Sequence, residues 1–364
     1  MASSTFHLCF LTIFASLLIP AICHGHSQKP KKHVPLFVFG DSLFDPGNNI
    51  YLNSSHKEAS AFWPYGETFF KHPTGRLSDG RLVPDFIAEF MKLPLLPPYL
   101  QPGAHRFTDG ANFASGGAGV LADTHPGTIS LLLQLSYFKN VVKQLKQKLG
   151  NAKTEKLLMG AVYLFSIGGN DYGVFQMNYP NASLSHQREY VGMVIQNLTS
   201  VLEEVHQIGG RKIAFQNAGP FGCLPLTRAG TRNGACAEEP SAMAKLHNTA
   251  LANVLKKLQT RLTGFKYSIF DYYNSLGERI NNPLKYGFKE GKRACCGSGA
   301  YRESNCGGQG GTTKFEVCSI PGDYVWFDGA HTTERANRQL AELLWNGTPN
   351  CTAPINLKQL FEHM

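Results

Sequence analysis

Residues 34–49 read VPLFVFGDSLFDPGNN, and the apolar run at their centre, Leu36 to Phe39, stops abruptly at Gly40-Asp41-Ser42. A short run rich in Phe and Val is too brief for a lone helix and reads as a fully buried strand. Glycine then lets the chain turn. Ser42 falls where the strand ends, at the edge where open α/β sheets bind ligands. A serine there could be a nucleophile, a helix N-cap or a turn residue, because Gly, Asp and Ser also dominate ordinary turns.

The rest of the chain repeats the alternation that such a strand needs. Residues 161–167, 212–215 and 266–270 read as further strands, and residues 82–91, 129–149, 191–207, 241–262 and 331–345 as helices. In residues 129–149, Leu131, Leu135, Phe138, Val142, Leu145 and Leu149 recur at steps of three and four, an apolar stripe that packs on a sheet. Strands alternating with helices predict an α/β fold with a parallel sheet covered on both faces. Residues 54–84 are loop-like, and residues 291–318 form a long, glycine-laden, cysteine-rich loop. The small-residue run of residues 110–119 lets backbone N–H groups approach a ligand, but it lacks the spacing and preceding strand of a dinucleotide fingerprint.

The 364 residues, 43% hydrophobic and 17% charged, suit a folded globular protein. Residues 6–22 are apolar and uncharged and are followed by small residues. This is the length of a signal-peptide core and short for a membrane span, although no Lys or Arg precedes it. We expect residues 1–25 to be a secretory signal and residues 26–364 one domain. Extracellular location, in apoplast or cell wall, follows from that expectation; the oligomeric state is left open. No later stretch is apolar and long enough for a transmembrane segment. Of nine cysteines, Cys9 and Cys23 would leave with the signal, and the odd number remaining predicts one free thiol. Cys223 is expected to pair with Cys236, and the group Cys295, Cys296, Cys306 and Cys318 to hold at least one further bridge. That group lacks the ligand spacing of a zinc site. Sequons at Asn53, Asn181, Asn197, Asn346 and Asn350 agree with a secreted glycoprotein. The net charge of +9 comes from scattered Lys and Arg, with the tightest group in residues 29–32, and no nucleic-acid motif accompanies it.

Near the C-terminus stands Asp328-Gly329-Ala330-His331, read as a helix start. Acyl transfer needs a hydroxyl nucleophile, an imidazole to take its proton, and a carboxylate to hold the imidazole's tautomer. It also needs N–H donors where the oxyanion develops. Ser42, His331 and Asp328 can fill the first three roles. The N–H groups of Ser42 and Gly116 and the side-chain amide of Asn170 can fill the fourth. Each residue also has an ordinary reading: Asn170 beside Gly169 suits a turn, and Asp328 suits an N-cap.

The blocks together resemble the plant-type GDSL esterase/lipase family, a branch of the SGNH hydrolases. The resemblance is carried by Phe39-Gly40-Asp41-Ser42 with Asp45 and Gly47-Asn48-Asn49. It continues through the run Gly110 to Gly119, Ile167-Gly168-Gly169-Asn170-Asp171 and Asp328-Gly329-Ala330-His331. Pro64-Tyr65-Gly66, Pro73-Thr74-Gly75-Arg76, Gly219-Pro220-Phe221-Gly222-Cys223 and Cys295-Cys296-Gly297 add to it, in the family's order. Two departures stand out. Thr332 follows His331 where the family usually has proline, and Trp326-Phe327 reverses the usual order before Asp328. The resemblance implies a three-layer α/β/α sandwich with a flavodoxin-like parallel sheet. It also implies a serine esterase or lipase acting on a small-molecule or lipid ester through Ser42, His331 and Asp328, without cofactor or metal. An acyltransferase using an alcohol acceptor and the same Ser42 intermediate is the alternative. A non-catalytic glycoprotein on this scaffold would normally have lost one of these residues.

Overall fold

Leu36–Gly40 is a strand, β1, with every residue buried. The structure is a computed structural model describing residues 33–52, 58–103, 105–308 and 313–362. The expected signal and the sequon at Asn53 lie outside the described residues. The other strands of the central sheet are β2 (Gly110–Asn112), β3 (Val162–Ser166), β4 (Lys212–Gln216) and β5 (Lys266–Phe270). They pair in the order β2-β1-β3-β4-β5, all parallel. Thr352–Ala353 closes the β5 edge antiparallel. This is the flavodoxin-like order, whose switch point lies between β1 and β3. The ends of those two strands carry Ser42 and Asn170.

Alternation along the strands sorts the core onto two faces. Phe37, Phe39, Tyr163, Phe165, Ile213 and Phe215 face one side, covered by the helices Leu131–Leu149, Leu184–Ile208 and Glu238–Arg261. Leu36, Val38, Val162, Leu164 and Ala214 face the other, against Val83–Phe90, Tyr272–Asn281, Glu334–Asn346 and Leu357–Glu362. Both layers are therefore present, and the architecture is the α/β/α sandwich. Phe39 stacks on Phe165 at 4.7 Å between ring centroids, and Phe165 on Phe215 at 5.8 Å, which ties neighbouring strands on one face.

Several boundaries differ from those read in the sequence, each for a local reason. The last long helix opens at Glu334 instead of His331, because the Thr333 hydroxyl caps it by accepting the Ala336 N–H. Residues 328–331 are thereby left as a turn before the helix. Leu184–Ile208 starts seven residues earlier than its apolar stripe, capped by Ser183. The first residues of the small-residue run are the edge strand β2. Asn151–Gly160, Gly169–Asn178 and Tyr272–Asn281 are helices that turn-like or weakly periodic sequence concealed. Within the cysteine-rich stretch, Glu290–Ala294 pairs in parallel with Tyr324–Trp326, so it is not loop throughout.

Cys223 is bonded to Cys236, Cys295 to Cys318, and Cys296 to Cys306, while Cys351 is a free thiol. Among the described residues the expected pair, the further bridging in the cluster and a single unpaired cysteine are all found. Among the described residues no helix is long and apolar enough to cross a membrane.

Candidate active site

The turn after β1 is held from three sides. A side chain at Gly40 would bring its Cβ to 2.7 Å from the Ser166 carbonyl oxygen on β3, so glycine is required there. The Gly40 N–H donates to Gln134 Oε1 at 2.9 Å, and Gln134 Nε2 donates to the Gly40 carbonyl at 2.8 Å. Asp41 N–H donates to the Ser166 carbonyl, and Leu43 N–H to Asp41 Oδ1, at 3.1 Å each. Ser42 is left partly exposed at the carboxyl edge of the sheet.

His331 Nε2 lies 2.8 Å from Ser42 Oγ, and His331 Nδ1 lies 2.8 and 2.9 Å from the two oxygens of Asp328. An ionised carboxylate only accepts, so Nδ1 carries the proton and Nε2 accepts from the Ser42 hydroxyl. Asp328 Oδ1 also accepts the N–H groups of Ala330 (2.9 Å) and His331 (2.8 Å) from its own turn. Oδ2 accepts the Tyr65 hydroxyl at 2.8 Å. Burial pushes the Asp328 carboxyl up. The His331 charge and the hydrogen bonds from His331, Ala330 and Tyr65 outweigh burial and hold it below its ordinary value. For His331 burial pushes down, but the charge and hydrogen bond of Asp328, with the charge of Asp41, leave its pKa raised. Asp41 itself is pushed up to about 7, chiefly by burial.

Gly116 and Asn170 are both positioned by polar residues of the first block and of the turn after β3. Asp45 Oδ1 accepts the N–H groups of Gly47 (2.7 Å) and Asn48 (2.6 Å), while Oδ2 accepts the Gly116 N–H at 2.8 Å. Asn48 Nδ2 donates to the carbonyls of Asn112 and Ala114, and Asn49 Nδ2 to that of Gly116. Asn170 stands in the first turn of Gly169–Asn178 and donates one amide proton to the Ala118 carbonyl at 2.9 Å. Its neighbour Asp171 accepts from the N–H groups of Val120 and Leu121 and from the Thr124 hydroxyl, which fixes the loop opposite. Among the described residues no acceptor takes the Ser42 N–H. The Gly116 N–H, by contrast, is engaged by Asp45 in this conformation.

Sequence reasoning brought forward Ser42, Gly116, Asn170, Asp328 and His331, and left Gln134 and Tyr65 without a role. Gln134 stood unmarked on the apolar stripe of its helix. A buried glutamine among leucines is the signal that could have found it. Thr332, in the place of the family's proline, uses its backbone carbonyl to accept from Ser78 and its hydroxyl to donate to Asn337 Oδ1. The substitution leaves the turn before it intact. Among the described residues no group of three or more His, Cys, Asp or Glu is placed to hold a metal ion.

A hydroxyl–imidazole–carboxylate chain at the switch point of a parallel α/β sheet is the layout of an acyl hydrolase. Residues 36–344 match the model of the GDSL-like lipase/acylhydrolase family. The chain is 48% identical over 369 residues to GDSL esterase/lipase 1 of Arabidopsis thaliana, covering 97% of each chain. It is 47% identical over 376 residues to GDSL esterase/lipase 4 of the same plant, covering 99% of this chain and 100% of the relative. A GDSL lipase of Tanacetum cinerariifolium is 44% identical over 348 residues, 95% of this chain and 92% of that one. The protein belongs to the GDSL-like lipase/acylhydrolase family and is, by class, a carboxylic ester hydrolase.

Proposed function

We propose that the protein is a secreted serine esterase or lipase that cleaves carboxylic esters through an acyl-enzyme on Ser42. The observation that carries this reading is the unbroken chain of contacts from Ser42 Oγ through His331 to Asp328. Ser42 Oγ attacks the ester carbonyl as its proton passes to His331 Nε2. The alcohol then leaves with that proton. Water, deprotonated by the same nitrogen, attacks the acyl-enzyme and releases the acid and free Ser42. Asp328 keeps the proton of the resting imidazole on Nδ1 and stabilises the imidazolium.

Oxyanion donors follow from which N–H groups are uncommitted. The Ser42 N–H is one, and the second amide proton of Asn170, beyond the one given to Ala118, is another. The Gly116 N–H joins them when the developing oxyanion replaces Asp45 as its acceptor. No step calls for a metal or cofactor. Secretion and removal of residues 1–25 are supported by the uncharged apolar N-terminus and three disulfides. Asn181, Asn197, Asn346 and Asn350 are exposed, as glycan acceptors must be.

A serine-directed organophosphorus probe should modify Ser42 and abolish turnover of a panel of acyl esters. Labelling elsewhere in active protein, with Ser42 untouched, would move the nucleophile. The same panel with added alcohols separates hydrolysis from transfer: free acid as the main product supports the reading, and new ester as the main product makes the protein an acyltransferase.

A further inference from the structure

We infer that Tyr65 is a positioning residue for the Ser42–His331–Asp328 chain, its hydroxyl holding the carboxylate of Asp328 in the orientation that His331 requires. The inference rests on the catalytic reading above. Both groups are buried, Tyr65 at 3% and Asp328 at 6% exposure, and they lie 263 residues apart in sequence. Only the tertiary fold brings them together.

Asp328 Oδ1 is secured by two backbone N–H groups of its own turn. Oδ2 has no such partner. Apart from the imidazole itself, the donor that reaches it among the described residues is the Tyr65 hydroxyl, at 2.8 Å. Without that hydroxyl the carboxylate is anchored at one oxygen only, and its plane can rotate about the Cβ–Cγ bond. With it, both oxygens are anchored, and the imidazole meets a carboxylate of defined tilt.

The phenol is well placed to hold that position. Its ring packs edge-on against Phe327 at 5.1 Å, within a small cluster formed with the disulfide-bonded Cys295, Cys296 and Cys306. Burial, reinforced by the charge of Asp328, holds the phenol pKa well above its ordinary value, so the group stays protonated and donates. Packing alone would be served equally by phenylalanine. A buried hydroxyl is costly unless it bonds, and here its partner is a charge.

The hydroxyl also has an electrostatic consequence. Its positive end draws on the negative charge of Asp328, which leaves less to stabilise a protonated His331. Asp41, whose charge acts on His331 and whose carboxyl is pushed up to about 7, and Glu58, whose charge acts on Tyr65, are unchanged by substitution at position 65, so a difference between variants reports the hydroxyl. Removing it should raise the imidazole pKa and move the acid limb of the kcat/KM profile to higher pH. Strengthening it should do the reverse.

The experiment is the pH profile of kcat/KM on a short acyl ester for wild type, Tyr65→Phe and protein carrying 3-fluorotyrosine at position 65. The fluorinated phenol is the stronger donor and keeps the ring. Tyr65→Phe should lose roughly tenfold in kcat with KM little changed, the size expected for a hydrogen bond to a charged group. Its acid limb should rise, and that of the fluorotyrosine protein should fall. Should Tyr65→Phe not fold, the fluorotyrosine shift alone decides. An unmoved limb in the fluorotyrosine protein, or in folded Tyr65→Phe, overturns the inference, as does movement of both limbs in the same direction. Ser42→Ala and His331→Ala, run alongside, separate the two levels. If they abolish activity while position 65 is silent, only the role of Tyr65 fails; if they retain it, the catalytic reading fails.

Discussion

At Asn170, two amide protons divide between structure and chemistry. One is spent on the Ala118 carbonyl, which fixes the side chain, and the other is the donor assigned to the oxyanion in the proposed mechanism. Asn170→Ala should therefore lower kcat by roughly 10² to 10³ and leave KM nearly unchanged, because the oxyanion exists only near the transition state. Steady-state kinetics on the folded variant decide the point; a large rise in KM with kcat intact would make Asn170 a substrate-binding residue instead. The neighbouring question is protonation. In the proposed mechanism His331 must be neutral to accept the Ser42 proton; burial pushes its pKa down, but the charge and hydrogen bond of Asp328 and the charge of Asp41 together leave it raised. Activity should thus be absent below that pKa and be gained as pH rises through it. The acid limb of kcat/KM should have its midpoint above the ordinary histidine value, and a midpoint at or below it would mean that burial outweighs the combined pull of Asp328 and Asp41 on the imidazolium.

At the scale of elements, the decisive contact is the one between the ends of β1 and β3. Gly40 passes so close to Ser166 that an added Cβ would meet backbone oxygen, and backbone cannot yield as a flexible side chain would. Gly40→Ala should cost about 1–3 kcal/mol of stability. It should also lower kcat, because the strand end that carries Ser42 must shift relative to His331. Denaturant unfolding and kinetics on the same preparation test both; full stability with wild-type kcat would show that the turn has room to spare. The same junction shows how much of the site was readable beforehand. Gly40, Asp41 and Ser42 after an apolar run announced a sharp turn at a strand end, and the strand was placed correctly. Asn170 was noticed as a turn residue, yet it opens a helix, because Gly-Asn-Asp-Tyr-Gly has no helical period to reveal one. His331 was read as a helical residue, yet the Thr333 cap delays the helix and leaves His331 in a turn that its own backbone N–H closes onto Asp328. Caps are chosen by competition between adjacent candidates, and sequence alone shows several.

Across the whole molecule, the three disulfides lie beside the site. Cys223–Cys236 closes the segment that follows Phe221, whose ring approaches Gly169, and the Cys295–Cys318 and Cys296–Cys306 bridges underlie Tyr65 and Phe327. Non-reducing peptide mapping of the mature protein should recover these three pairs with Cys351 as the free thiol. Its N-terminus should lie near residue 26, and finding Met1 there would reject the signal assignment. Loss of the Cys223–Cys236 link should cost about 3 kcal/mol in the chain-entropy account of a loop this size. What the sequence determined by itself was the alternation of buried strands and amphipathic helices, since periodicity and the length of apolar runs are local properties. It also supplied the candidate hydroxyl, imidazole and carboxylate of the proposed chemistry, because such chemistry belongs to the side chain, while family resemblance singled out Ser42, His331 and Asp328. The parallel direction of the strands was expected from that alternation and their flavodoxin-like order through family resemblance, and both are realised only by packing. Tertiary structure alone decided which donors are free and which are taken: Gly116 N–H held by Asp45, Gly40 clasped by Gln134, and Asp328 met by Tyr65. These partners lie from 71 to 263 residues apart in sequence, and hydrogen bonds at such separations are set by where the sheet and its covering helices bring the chain together, not by any pattern along it.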